Sequence, residues 1–321
     1  MRITVLGPVG VERDGEQVNV GGPQQRRLLS FLVVHRGHTV STDRLVDALW
    51  LDGVAPDGAA RSMRTYLSRL RAVLPDTAVV SQHSGYMLEL DGVDLDVEEF
   101  DALVDSAERM LPDQQVDQYD AALALWRGEP FGEFSDEWWA VAESSRLSER
   151  RSLAQESRAA ALMAIGHHGR AISGLEAMVA GLPLRERPVR LLMVALQVTG
   201  RRAEALRVYR SFRARLADET GLEPSRELVE LQARIVADDE SSELADDRPL
   251  RGYTILRSIG EGTSGRVYAA IQPGTGRQVA IKAIRPDLAD STEFIRRFEV
   301  EARLVARIEH PHIVPLYDFW R

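Results

Sequence analysis

From about residue 95 to residue 236 the chain reads as helix almost without interruption, and that stretch contains a partial copy of itself. Leu162, Gly166, Ala171 and Ile172 recur as Leu196, Gly200, Ala205 and Leu206, the same 34 residues apart each time, as from Gly166 to Gly200. A period of that length holds two helices and a turn, with small residues where the pair approach closely. Breaks are expected at Pro112, Gly128–Pro130, Gly166, Pro183, Gly200 and Gly221–Pro224, residue types that end or cap helices. A plain helical bundle would share much of this pattern, and that alternative stays open. Trp138 and Trp139 read as part of one amphipathic helix, supplying apolar area either for the core or for association.

The flanks are different. Before residue 92, Ile3–Leu6, Val9–Arg13 and Gln17–Val20 read as strands, with Asp14-Gly15 as a hairpin turn. Pro23 suits the first position of a helix reaching about His35 and stopping at Gly37. Ser41 or Thr42 caps a second helix through Trp50. A third spans about Ala59–Leu74 and stops at Pro75. Val79–Val80 and Tyr86–Leu90 then flank Ser84-Gly85 as a second hairpin. Strands, three helices and a closing hairpin make a winged helix-turn-helix. The 34-residue repeat has tetratricopeptide length, and after it the stretch 237–250 is acidic and polar, as a linker would be. The expected fold is therefore multidomain α+β: a winged helix at 1–94, an all-α tetratricopeptide-like domain at 95–236, a linker at 237–250 and a strand-rich segment at 251–321.

Charge sharpens the reading. The net charge is −9, but binding depends on where the bases cluster. Arg61, Arg64, Arg69 and Arg71 fall within eleven residues that contain no acid, whereas Asp238, Asp239, Glu240, Glu243, Asp246 and Asp247 crowd into the linker. On the third helix Met63, Leu67, Leu70 and Leu74 share one face, and Arg61, Arg64, Thr65 and Ser68 share the opposite one, with Arg69 and Arg71 at its flanks. A basic, hydroxyl-bearing helix face suits the major groove, where arginine bonds guanine O6 and N7 in a bidentate way. Ser41 and Thr42 are candidates for a phosphate contact, and the tip residues His83 and Ser84 for the neighbouring minor groove. A solvated basic face of no special role is the competing reading. Cysteine is absent, which removes disulfides, thiolate metal sites and cysteine nucleophiles. The first residues lack the apolar core of a signal peptide, and no apolar run approaches the ~20 residues that cross a bilayer. A cytoplasmic protein is expected.

The runs LGPVGVERDG, GGPQQRRLLSFLVVHRG, VSTDRLVDALW, RSMRTYLSRLRAVL and SGYMLEL, followed by ALALWRGEPF, PLRERPVRLLMVAL and GRRAEALRVYRSFRARLADETGLEPSREL, resemble the actinobacterial antibiotic-regulatory-protein family. The resemblance covers residues 1 to about 240. It implies sequence-specific binding to double-stranded promoter DNA, usually as a homodimer on repeats. It also implies a bacterial transcriptional activator domain that contacts partner subunits, RNA polymerase or its sigma subunit. Arg61, Arg64, Thr65, Ser68 and Arg69 are placed at the DNA by it, with no base assigned to any of them.

Of the chain's 40 basic residues only Lys282 is lysine. It closes Val279-Ala280-Ile281-Lys282, which follows the glycine-rich run Gly260-Glu261-Gly262-Thr263-Ser264-Gly265-Arg266-Val267 at strand spacing. Alone, the glycine pattern is weak and reads better as a plain turn. Together, and with Glu301 on an expected helix from about Thr292 to Ile308, these motifs make residues 251–321 resemble the amino lobe of a bacterial Ser/Thr kinase. The resemblance implies Gly260, Gly262, Gly265, Val267, Ala280 and Lys282 as ATP-binding positions, with Glu301 as the partner of Lys282. No H-R-D-type loop or D-F-G follows, and Asp318-Phe319-Trp320 lacks the glycine. No catalytic residue and no metal ligand is therefore assigned. DNA binding is expected to need no cofactor, and ATP with Mg²⁺ is expected only in a complete kinase domain. Two further readings compete: a piece of a Ser/Thr kinase whose amino-terminal domains are its transcriptional output, and a helical scaffold that binds protein alone.

Overall fold

The computed structural model describes residues 1–50, 55–246, 252–262 and 265–284, with Arg296, Phe298, Ala302 and Leu316; at 238–246 and 261–262 only the backbone is described. They form two units, Met1–Ile235 and Val236–Arg321.

The first unit opens with strands β1 (Arg2–Thr4), β2 (Gly10–Arg13) and β3 (Glu16–Val18). Asp14 and Gly15 both have positive φ, 55° and 84°, so the turn between β2 and β3 has the twist that matches paired strands. Helix α1 (Pro23–Val34) begins on its proline, where the missing N–H costs nothing. Strand β4 (Val40–Ser41) leads into α2 (Thr42–Leu49), whose N-cap Ser41 accepts the Arg44 N–H at 3.3 Å. Helix α3 (Ala59–Val73) follows a left-handed Gly58. The hairpin of β5 (Val79–Gln82) and β6 (Gly85–Leu88) pairs with β4 in the order β4-β6-β5. Its turn is His83-Ser84, one residue earlier than the sequence suggests. Gly85 is instead a strand residue paired with Gln82 and Ser41, and the approach of β4 requires glycine there, because a Cβ would penetrate the Val40 carbonyl. Strand β7 (Asp94–Leu95) joins β1 in parallel and completes a sheet of order β3-β2-β1-β7.

Helices α4 (Asp96–Ala107), α5 (Pro112–Ala124), α6 (Val141–Ala164), α7 (His168–Gly181), α8 (Glu186–Val198), α9 (Arg202–Thr220) and α10 (Arg226–Asp246) follow. Each of α5 to α9 packs on its predecessor. The repeat is written into the backbone. Gly166 and Gly200 end α6 and α8 with φ of 80° and 78°. In both copies a main-chain N–H reaches back five residues, from His167 to Leu162 and from Arg201 to Leu196, each at 2.8 Å. Those paired bonds are the glycine-terminated helix end that satisfies orphan carbonyls. Ala171 and Ala205, one per copy, are buried at the following helices.

Two further expectations differ from the structure. Residues 125–140 are turns around a 3₁₀ segment, Gly132–Phe134, so Trp138 and Trp139 precede α6 instead of riding on a helix. Gly128, Pro130 and Gly132 in that stretch defeat helix propensity. Helix α10 also continues to Asp246, into the stretch read as a linker. Polar composition there argues against a buried face, while Glu, Leu and Ala still favour helix.

One hydrophobic core runs from the winged helix into the helices: Leu28, Phe31, Leu45, Met63 and Leu67 are continuous with Phe100, Trp126, Phe131, Trp139 and Leu147. A second core fills α6 to α10. In the second unit β8 (Thr254–Gly262), β9 (Gly265–Ile271) and β10 (Gln278–Ile284) form an antiparallel sheet of order β10-β9-β8. Thr263, Ser264, Glu301, the segment from Glu309 to Val314 and Asp318-Phe319-Trp320 lie outside the described residues; Arg296, Phe298 and Ala302 are helical.

Candidate nucleic-acid interface

Helix α3 is amphipathic in the sense the sequence demands. Met63, Leu67 and Leu70 are buried, and Arg61, Arg64, Thr65, Ser68 and Arg69 are exposed on the other side. Among the described residues no hydrogen bond or ion pair engages the guanidinium of Arg61, Arg64 or Arg69. The Thr65 hydroxyl donates to the Arg61 carbonyl at 3.1 Å, which leaves its oxygen able to accept from outside. No acid lies in the first turn. The outer face is therefore positive and rich in donors along its whole length.

Arg71 stands apart. It is half-buried, its Nε donates to the Val79 carbonyl at 2.9 Å and its Nη2 to Ser81 Oγ at 2.8 Å. The guanidinium carbon also lies 5.7 Å from the centre of the Tyr86 ring. Arg13, from β2, donates to the Val73 carbonyl at the end of α3, at 2.8 Å. Neither brace is legible in the sequence, since both depend on carbonyls brought near by folding. Ser41 and Thr42 are half-buried, with the Ser41 hydroxyl engaged as the α2 cap, and α2 packs on α3. His83 and Ser84 are exposed at the hairpin tip.

The winged helix is held to the helices by polar as well as apolar contacts. Asp96, at the start of α4, is almost fully buried; its carboxylate accepts the N–H of Val5 at 2.9 Å and of Leu6 at 3.0 Å, and Arg127 approaches it at 3.2 Å. Burial pushes its carboxyl above the ordinary range, against the pull of the two N–H donors and Arg127. The main chain of Arg127 and Phe131 donates in turn to the carbonyls of Leu6 and Val5, both at 2.7 Å. That exchange fastens the WRGEPF turn to the segment that follows β1. On α1, Arg26 pairs with Glu133 at 2.7 Å and Arg27 with Glu137 at 2.8 Å.

In the second unit the sheet register sets Gly260 opposite Val267 and Val267 opposite Lys282, with Ala280 opposite Ala269 and Gly262 opposite Gly265. Lys282 is exposed. A Cβ at Gly265, whose φ is 154°, would penetrate the Ala283 carbonyl, so this glycine is required by strand approach. The pairing of Lys282 with Glu301 lies outside the described residues.

Three family descriptions match the chain: "Transcriptional regulatory protein, C terminal" over residues 15–88, "Bacterial transcriptional activator domain" over 95–236 and "Protein kinase domain" over 253–321. The regulatory protein AfsR of Streptomyces griseus is 40% identical over 90% of this chain, which spans 29% of its length. The chain thus covers less than a third of that relative. The transcriptional regulator RedD of Streptomyces coelicolor is 32% identical over 74% of the chain and 71% of its own length. Among solved structures, Mycobacterium tuberculosis EmbR in complex with a low-affinity phosphopeptide superimposes with a TM-score of 0.68 at 27% identity, covering 88% of this chain and 78% of that one. With both the winged helix and the activator domain matched, and RedD 32% identical over 74% of the chain and 71% of its own length, the chain belongs to the actinobacterial antibiotic-regulatory-protein family of transcriptional regulators.

Proposed function

We propose that this regulator binds promoter DNA sequence-specifically through the outer face of α3, with Arg61, Arg64, Thr65, Ser68 and Arg69 in the major groove. The observation that carries the reading is the row of exposed guanidinium groups with no carboxylate partner among the described residues. Arginines left unneutralised on an otherwise acidic chain are placed to meet an anionic partner. Ser41 and Thr42 approach a phosphate at the start of α2, and His83 reaches the adjoining minor groove. Dimerisation on repeated sites, contact with RNA polymerase or its sigma subunit through α4–α10, and a cytoplasmic setting complete the proposal. Among the described residues no helix is long and apolar enough to cross a membrane. The kinase-like sheet binds ATP and Mg²⁺ only as part of a complete kinase domain, and DNA binding needs no cofactor.

The test is affinity for a duplex selected by the chain from a random library, measured at two salt concentrations. Replacing Arg61 and Arg64 together by Ala should cost about 1–3 kcal/mol per lost base contact and flatten the salt dependence. Unchanged affinity and slope in the folded variant would remove α3 from the interface.

A further inference from the structure

We infer that Arg71 is a positioning residue that locks the β5–β6 hairpin to α3, so that helix and wing meet DNA as one rigid surface. The inference rests on the DNA-binding reading above. Every other arginine on the outer side of α3 points outward without a partner among the described residues, whereas Arg71 spends its donors inward. Its two bonds go to two alternate residues of β5, Val79 and Ser81, and its guanidinium carbon lies over the Tyr86 ring on β6. One side chain therefore spans both strands of the wing.

The geometry needs a planar fork. Nε and Nη2 are fixed in one plane and reach a backbone carbonyl and a hydroxyl at once; a lysine ammonium reaches one of them and has no face to set over Tyr86. The base of the wing packs into the shared core through Val79 and Leu88, whereas Arg71 holds its outer side at Ser81. The wing strands are four residues each, and β4 contributes only two paired residues. Without Arg71 the hairpin would pivot about β6, and His83 at its tip would lose a fixed position relative to Arg64 and Ser68.

The test uses the 321-residue chain, the library-selected duplex, and the variants R71K and R71A, with S81A to remove one bond alone. Folding is checked by thermal unfolding. Hydrogen exchange of the hairpin amides is measured without DNA. Affinity is measured in the native background and in H83A/S84A, where the tip is blunted. The expected result is faster exchange at residues 80–86 in R71A and R71K, with α3 protection retained. Affinity should fall about tenfold in the native background and less than about twofold in H83A/S84A, the non-additivity of residues acting through each other. Equal losses in both backgrounds would mean that Arg71 touches DNA directly, and would overturn the inference. So would unchanged hairpin exchange. R71K retains the charge, so affinity kept in R71K but lost in R71A also overturns it. If H83A/S84A does not weaken native binding, or no duplex is selected, the wing contact or the DNA reading fails. The brace then stands or falls on exchange alone.

Discussion

The Phe31 ring meets the indole of Trp139 edge-on, with centroids 5.5 Å apart and planes at 84°. Phe31 belongs to the winged helix and Trp139 to the turn before α6, so this contact carries the shared core across the two parts of the first unit. Trp139→Ala should cost about 3–5 kcal/mol, the range for emptying a large buried aromatic site. Trp139→Phe should cost less than Trp139→Ala, since the remaining ring fills part of the site and the indole N–H it removes has no hydrogen-bond partner among the described residues. Urea unfolding followed by circular dichroism should show one transition for residues 1–235. Two separated transitions, or an Ala variant as stable as the Phe variant, would contradict the shared core.

Gly85 should tolerate no side chain. Gly85→Ala would force β4 and β6 apart at Val40 and Ser41 and cost about 1–3 kcal/mol, as overpacking does. Thermal unfolding of the variant checks this. A neutral result would mean that β4 yields without loss.

The repeat glycines offer a matched pair. At Gly166 and Gly200 a Cβ would meet nothing within 4 Å, so alanine is penalised only by the left-handed backbone. Gly166→Ala and Gly200→Ala should each cost about 1–2 kcal/mol, and nearly the same amount. A large difference between them would show that the two copies are not equivalent ends. Circular dichroism melts suffice.

His35 introduces a pH dependence. Its Nδ1 lies 2.9 Å from the Phe31 carbonyl and its Nε2 3.2 Å from the Arg44 guanidinium, so the ring donates at Nδ1 and accepts at Nε2, which requires the neutral form. Burial lowers its pKa from the ordinary 6.5, with Arg44 and His38 adding to the shift and the Phe31 carbonyl opposing it. The folded state thus takes up a proton less readily than the unfolded chain. Its contribution is whole above pH 6.5 and is lost as pH falls from there through the folded value. Denaturation midpoints between pH 5 and 7.5 should decline less steeply in His35→Gln than in the native chain. Parallel profiles would exclude the residue.

Local chemistry was legible in the sequence. Pro23, Ser41, Pro75 and the glycines at 166 and 200 set helix ends because capping is decided by a residue and its neighbours. The outer face of α3 was legible for the same reason: a helix of known period sorts its own side chains. Strands β4 and β7 were not, since two-residue strands exist only through partners far along the chain. The same distance hid Asp96. A carboxylate at a helix start reads as a first-turn acid, and nothing local announces that Val5 and Leu6, ninety residues away, supply its donors. The inward bonds of Arg71, at the flank of the outer α3 face, were not legible either, because periodicity reports direction and not distance to a carbonyl. Trp138 and Trp139 looked alike, yet one is 57% exposed and the other buried, a difference made by glycine- and proline-rich turns that no helical wheel represents.

The exchange between Val5-Leu6 and the Asp96, Arg127 and Phe131 positions bears on how such regulators diversify. A recombination event in the loop before Asp94 would join a new reading head to an old helical body while mismatching the strand, the carboxylate and the WRGEPF turn that clasp it. A breakpoint after α6 would carry the head together with Asp96, Arg127, Phe131 and Trp139, and would leave only the second core to be matched. Among relatives, heads are therefore expected to be inherited with α4 to α6, and chimaeras intended to redirect a regulator to new promoters should be cut after α6.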